Sequence, residues 1–290
     1  MTQLRTFALA ALAALVIASA AQAETLPQRV TFPSADGKTT LVGYLYLPSG
    51  RHLPRAPAVV MMHGRAGAYS SAANGVYDAS TLSRRHKAWG AFWAEHGYVA
   101  VLVDGFSPRG YPAGFPRYSY DSRPEELNEV TVRPLDAYGA LAYLRARPDV
   151  DGEHVGLQGW SNGGSAALAT MTDTPGPPSG MKGFVAALVF YPACGLKGAF
   201  KDEGYKPYAP VRVFMGSDDE EVSPKRCKKL VDASRVAGGD ITIKLYDGAS
   251  HDFDDPSAKH QKVEANADAT EDVKERAVKF FAKQLGGRAE

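Results

Sequence analysis

Short apolar runs alternate along this chain with longer amphipathic or alanine-rich ones. Arg29–Phe32 and Leu41–Leu47, parted by the turn residues Asp36-Gly37, predict an opening antiparallel pair. Pro57–Met62, Tyr98–Val103, the run ending at Trp160, Phe184–Tyr191, Val211–Met215 and Ile241–Tyr246 are apolar without strict alternation. That pattern marks strands buried on both faces of a parallel sheet. Ser83–His96, Leu127–Arg147, the run after Ser161, Pro224–Ala237 and Ala265–Leu285 predict helices, with Pro134 either kinking the second or marking its true start. Strand and helix in alternation define an open α/β fold in one domain, a mostly parallel sheet flanked by helices. Ligands of such folds bind outside the carboxyl ends of the strands. Gly105–Pro124 follows a strand end, has no regular pattern and carries Tyr111, Phe115, Tyr118 and Tyr120, which makes it a candidate lid or binding loop.

The N-terminus changes the picture of where the chain works. Arg5 precedes the small and apolar run Phe7–Ala21, and Ala21-Gln22-Ala23 closes it. A charged start, a short apolar core and an Ala-x-Ala site predict a cleaved export signal over 1–23, with a mature domain over 24–290 that is periplasmic or secreted. The apolar run is too short for a membrane span, and no cysteine lies near the cleavage site to carry a lipid anchor. Removing the segment takes one of 33 basic residues against 32 acidic ones, so the remainder is neutral. A neutral protein exerts no general pull on nucleic acid or anionic membrane. The chain has two cysteines, Cys194 and Cys227, each after a predicted strand. Those strands should be sheet neighbours, so a disulfide is expected in an oxidising compartment.

Chemistry concentrates at Gly159-Trp160-Ser161-Asn162-Gly163, set between an apolar strand and an alanine-rich helix. A Gly-x-Ser-x-Gly in that context predicts a nucleophile elbow, a turn too tight for side chains at its two glycines. The plain alternative is a glycine turn capped by serine. A serine nucleophile needs a base and the base an orienting acid. Downstream, His251 follows the last strand, whereas His260 lies in a polar run and reads as surface. Val211–Gly216 leads into Ser217-Asp218-Asp219-Glu220-Glu221, where the Gly-x-x-Asp spacing selects Asp219, with Asp218 in reserve. An oxyanion hole needs two backbone donors. The amide of Asn162 is one, and the loop after Pro57–Met62 offers the other at Arg65 or Ala66 beside Gly64. His63 is expected to brace that loop. Tyr111, Phe115 and Trp160 are candidate substrate contacts, with local packing as the alternative. Asp252, Asp254 and Asp255 lack metal-ligand spacing, and neither metal nor cofactor is expected.

His63-Gly64, Gly159-Trp160-Ser161-Asn162-Gly163-Gly164, Gly216-x-x-Asp219 and Ala249-Ser250-His251-Asp252-Phe253 together resemble the dienelactone hydrolase family of α/β-hydrolases. Val103-Asp104-Gly105-Phe106-x-Pro108-Arg109-Gly110 and Tyr191-Pro192 fit the same pattern, and the likeness spans about residues 28–285. The resemblance implies an eight-stranded sheet and hydrolysis of small esters or lactones. Arg109, Arg117 and Arg123 are candidate partners of a substrate carboxylate, as in relatives acting on acidic lactones, with surface solvation as the default reading of each. One departure matters: enzymes of the family that open dienelactone carry cysteine at the nucleophile, and this chain has Ser161. The expectation is therefore a serine esterase. The alternatives are a peptidase or other acyl hydrolase, and a binding protein that keeps the fold.

Overall fold

The computed structural model describes residues 26–48, 54–200 and 204–286, and the predicted export signal lies outside them. Eight strands form one sheet: β1 (Gln28–Pro33), β2 (Thr40–Tyr46), β3 (Ala56–Met62), β4 (Val99–Asp104), β5 (Val150–Trp160), β6 (Ala186–Phe190), β7 (Val211–Gly216) and β8 (Ile241–Tyr246). Their spatial order is β1-β2-β4-β3-β5-β6-β7-β8. β1 pairs antiparallel with β2 and β2 with β4, and every later pairing is parallel. The helices are α1 (Arg84–Glu95), α2 (Arg133–Arg145), α3 (Asn162–Met171), α4 (Pro224–Val236), α5 (Ala258–Gln261) and α6 (Glu264–Leu285).

The central strands carry the burial that their unbroken apolar runs predict. Every residue of β3, β4 and β6 is buried. β8, at the sheet edge, alternates instead, with Ile241 and Tyr246 buried and Thr242 and Lys244 exposed. α2 and α3 pack on each other and on β5, and α1 packs on β4 and β2. α6 joins α1, the rings of Trp93 and Phe281 standing 5.2 Å apart.

Two details correct the sequence reading. α2 starts at Arg133 rather than Leu127, so of the two readings of Pro134 the one that marks the true start holds, and in the first turn its missing N–H costs no hydrogen bond. Residues 105–124 are not wholly irregular, since Ser107–Arg109 and Tyr120–Ser122 each form a short 3-10 turn. The cysteines are bridged as expected, their Cα atoms 5.0 Å apart. The bond joins the loop after β6 to the first turns of α4, beside the carboxyl ends of the parallel strands.

Candidate active site

Ser161 sits where β5 turns into α3, at φ 51° and ψ −116°. A non-glycine residue holds such angles only when its surroundings dictate them. Here the dictation is steric and hydrogen-bonded at once. A Cβ on Gly159 would lie 2.2 Å from the carbonyl oxygen of Gly163, and one on Gly163 2.1 Å from that of Met62. The amide of Ser161 donates to Phe190 O at 2.9 Å, fixing the turn to the neighbouring strand. The side chain thus stands at the N-terminus of α3, where the helix dipole favours negative charge.

The loops after β7 and β8 complete the arrangement. His251 Nε2 lies 3.1 Å from Ser161 Oγ, and its Nδ1 lies 2.8 Å from Asp219 Oδ2. Asp219 is held in turn by the amides of Glu221 and Val222, both donating to its Oδ1 at 2.9 Å. Asp218, the reserve candidate, points elsewhere: it is exposed, and its carboxylate accepts from Ser217 Oγ. His251 is buried, and its own amide donates to Glu220 Oε2 at 3.0 Å. Burial opposes a charge on its ring. The hydrogen bond to Asp219 and the carboxylates of Asp252, Asp219 and Glu221 outweigh that penalty and raise its pKa above the ordinary 6.5.

Gly64 packs directly on the elbow, a Cβ built on it lying 3.4 Å from Ser161 Cβ, and Gly64, Arg65 and Ser161 line one cavity. His63 is fully buried beneath that loop, its Nδ1 donating to Gly64 O at 2.7 Å and its ring set edge-on to Phe106. Burial and the nearby Arg133 cation keep this imidazole neutral, well below its usual pKa.

Several candidates have other tasks. Trp160 is 0% exposed and donates from Nε1 to Asp254 Oδ2 at 2.9 Å, so it lies under the floor and touches no open space. The pleat explains this, since neighbours of Ser161 along a strand end point to the opposite face. Tyr111 and Phe115 pack on each other, 5.3 Å between rings, and Phe115 on Phe106 at 5.6 Å. The aromatic side chains of that loop that reach the cavity beside Ser161 are Tyr118 and Tyr120. Arg109 is bound in a fork to Asp136, and Arg117 pairs with Glu220 and Glu221. Arg123, half-buried, borders the cavity.

Asp252, Asp254 and Asp255 do converge on a cation, and it belongs to the protein. Arg85 of α1 reaches all three, at 2.8, 3.3 and 3.5 Å. Asp254 is the deepest, accepting also from Trp89 Nε1 at 2.7 Å and Tyr191 OH at 2.5 Å. This cluster anchors the loop that carries His251. Glu221, His251 and Asp252 present ligand-type atoms within 4.8 Å of one another. Each already faces a partner: Glu221 forks onto Arg65 at 2.9 and 3.0 Å, Asp252 meets Arg85, and His251 meets Ser161 and Asp219. The guanidinium ions of Arg65, Arg85 and Arg117 at such a centre disfavour a metal cation.

Arg133 carries no signal in the sequence that sets it apart from other helix arginines. It is buried in α2, donating from Nη1 to Asn162 Oδ1 at 2.5 Å and from Nη2 to His63 O at 2.8 Å. Its partners are 29 and 70 residues away along the chain.

Sheet order, strand pairing and a serine at the β5–α3 turn together define the α/β-hydrolase class. The sequence profile of the dienelactone hydrolase family matches residues 41–285, and the chain belongs to that family. Among solved structures it is similar to a dienelactone hydrolase-like promiscuous phosphotriesterase from metagenomic libraries, at 21% identity over 89% of this chain and 98% of that one, TM-score 0.63. The apo form of Thermogutta terrifontis esterase 2 is also similar, at 19% identity over 90% and 95%, TM-score 0.61. The mitochondrial acyl-coenzyme A thioesterase 2 of Rattus norvegicus is 33% identical over 98 residues, 33% of this chain. The match spans 20% of that thioesterase's length.

Proposed function

We propose that the chain is an exported serine hydrolase of small carboxylic esters or lactones, acting through Ser161, His251 and Asp219. The observation that carries this reading is the continuous file from Ser161 Oγ through the His251 ring to Asp219, at 3.1 and 2.8 Å. His251 Nε2 accepts the Ser161 proton as Oγ attacks the ester carbonyl. Asp219 accepts from Nδ1–H, which fixes the tautomer that leaves Nε2 free to act and stabilises the imidazolium. The backbone amides of Asn162 and Arg65 are the proposed donors to the oxyanion, with Ala66 the neighbour of the second. Collapse of the tetrahedral intermediate expels the alcohol, which takes its proton from Nε2. Water activated by the same nitrogen then releases the acid. This cycle needs no cofactor.

Two further observations support the reading. Thermogutta terrifontis esterase 2, similar in fold, has been solved with propionate bound and phosphorylated by paraoxon. A disulfide persists in oxidising compartments, which supports a periplasmic or secreted site of action. No helix among the described residues is long and apolar enough to cross a membrane.

The test is turnover of a matched panel of ester, thioester and peptide by the wild type and Ser161→Ala. The reading expects ester cleavage to dominate and to fall by at least about 10⁴-fold in the variant. Equal ester turnover by the variant would remove Ser161 from the mechanism.

A further inference from the structure

Ser161 stands at the junction of two unlike cavities. The larger, about 770 Å³, is walled by Tyr118, Tyr120, Ala193, Cys194 and Val222. The smaller, about 260 Å³, is bordered by the loop at Gly64–Gly67, by His251 and Asp252, and by Ser70, Ser71 and Ser257. Arg65 borders both, and His251 borders the smaller one.

Resting on the serine-hydrolase reading, the geometry of acyl transfer allots these spaces. In the tetrahedral intermediate the attacked carbon holds Ser161 Oγ, an oxyanion, the leaving oxygen and the acyl chain. The oxyanion turns toward the amides of the elbow and the Gly64 loop. The leaving oxygen must come within hydrogen-bond reach of His251 Nε2, its proton donor. That directs the alcohol into the cavity that His251 borders. The acyl chain is left with the other.

The walls add chemistry to the division. Lys197 Nζ and Arg123 Cζ lie 5.1 and 5.4 Å from the centroid of the Tyr120 ring, cation–π contacts that hold the ring in place. Tyr118 is 87% exposed at φ 62°, its ring unburied at the mouth of the same cavity. The two phenol rings suit a flat aromatic group, because aromatic pairs gain beyond simple area burial, and Arg65, Arg123, Lys197, Arg226 and Lys229 line the same cavity with positive charge. The smaller cavity falls below the roughly 300–1,000 Å³ typical of sites that enclose a drug-sized ligand. Its serines, its carboxylates Asp252 and Asp255 and the guanidinium groups of Arg65, Arg84 and Arg85 offer hydrogen-bond partners to hydroxyl groups.

We propose that the preferred ester is asymmetric, an aromatic acyl half stacking on Tyr118 and Tyr120 in the larger cavity and a short hydroxylated alcohol leaving through the smaller. In the acylation step the Oγ–carbonyl carbon bond forms and the ester C–O bond breaks. The Ser161 proton passes through His251 to the alcohol. In the second step water supplies the hydroxyl of the released acid and returns the proton to Ser161.

The test uses two isomers, 2-hydroxyethyl cinnamate and cinnamyl glycolate, which exchange the sizes of acyl and alcohol halves. For each, kcat/KM is divided by its rate of hydroxide-catalysed hydrolysis. The proposal expects the cinnamate to lead by at least about tenfold. Tyr120→Ala, and independently the exposed Tyr118→Ala, should lower that ratio several-fold, with normal folding checked by circular dichroism. A ratio of one or less in the wild type, or a ratio unmoved in both variants, overturns the assignment. If neither isomer is hydrolysed while Ser161 still takes up a fluorophosphonate, this substrate class fails and the serine-hydrolase reading stands. If Ser161 is also unlabelled, both fall.

Discussion

Arg133 Nη1 lies 2.5 Å from Asn162 Oδ1, so a buried guanidinium grips the residue that follows the elbow serine. Its second arm holds His63 O, on the strand end that leads into the Gly64 loop. One side chain thereby fixes the spacing of the two backbone segments proposed to bind the oxyanion. Burial lowers its pKa to about 10, which still leaves it charged at neutral pH.

Arg133→Lys, with one ammonium in place of a planar fork, cannot hold both acceptors in the same geometry. We expect kcat to fall about 10–100-fold with KM within threefold, because an oxyanion donor acts in the transition state. Steady-state kinetics on a soluble ester checks this. An unchanged kcat in a folded variant would make Arg133 a purely structural residue.

Asp219 and Asp218 are adjacent in sequence and opposite in environment. Asp219→Asn should cost about 10⁴-fold in kcat, by removing the acceptor that sets the His251 tautomer. Asp218→Asn, changing an exposed carboxylate that meets Ser217, should stay within twofold. Comparing the two under one assay separates the proposed triad acid from its neighbour.

The pH profile follows from the sign of the His251 shift. The base works when neutral, and its pKa is raised above 6.5, so kcat/KM should fall with acidification from a point above that of an ordinary imidazole. Asp252→Asn removes one of the carboxylates that favour the imidazolium, so the acid limb should move to lower pH. A limb that stays in place, or moves up, would show that Arg85 fully neutralises Asp252 at this distance.

The Cys194–Cys227 bridge closes 33 residues of sequence separation. In the chain-entropy account it stabilises the fold by about 3–4 kcal/mol. Denaturant titration with and without a reductant should therefore show a lower midpoint in the reduced protein. Cys194 also borders the larger cavity, so reduction should weaken substrate binding there more than it alters labelling of Ser161.

What the sequence made legible was local. Apolar runs placed all eight strands within a few residues, and the Gly159–Gly163 spacing named the turn that the carbonyls of Gly163 and Met62 enforce. The approach of Asp219 and His251 to Ser161 was legible because chain order in this fold class repeats. What stayed hidden depends on contacts between remote segments. Arg85 and Asp254 look like ordinary surface charges, yet with Trp89, Trp160 and Tyr191 they form the buried support of the His251 loop. Trp160 looked like a substrate contact because it adjoins Ser161 in sequence, and the strand pleat turns it the other way. Tyr111, Phe115, Tyr118 and Tyr120 were alike as letters, and their division between packing and cavity wall came from how the loop folds back on Phe106.

The central claim is that Ser161 is an activated nucleophile. Treating the folded protein with a fluorophosphonate and mapping the adduct by peptide mass spectrometry tests it most directly. The account predicts a single stoichiometric adduct on the peptide containing Ser161, absent in Ser161→Ala and slowed in His251→Ala. A folded wild-type protein that stays unlabelled, or is labelled equally with and without Ser161, would contradict it.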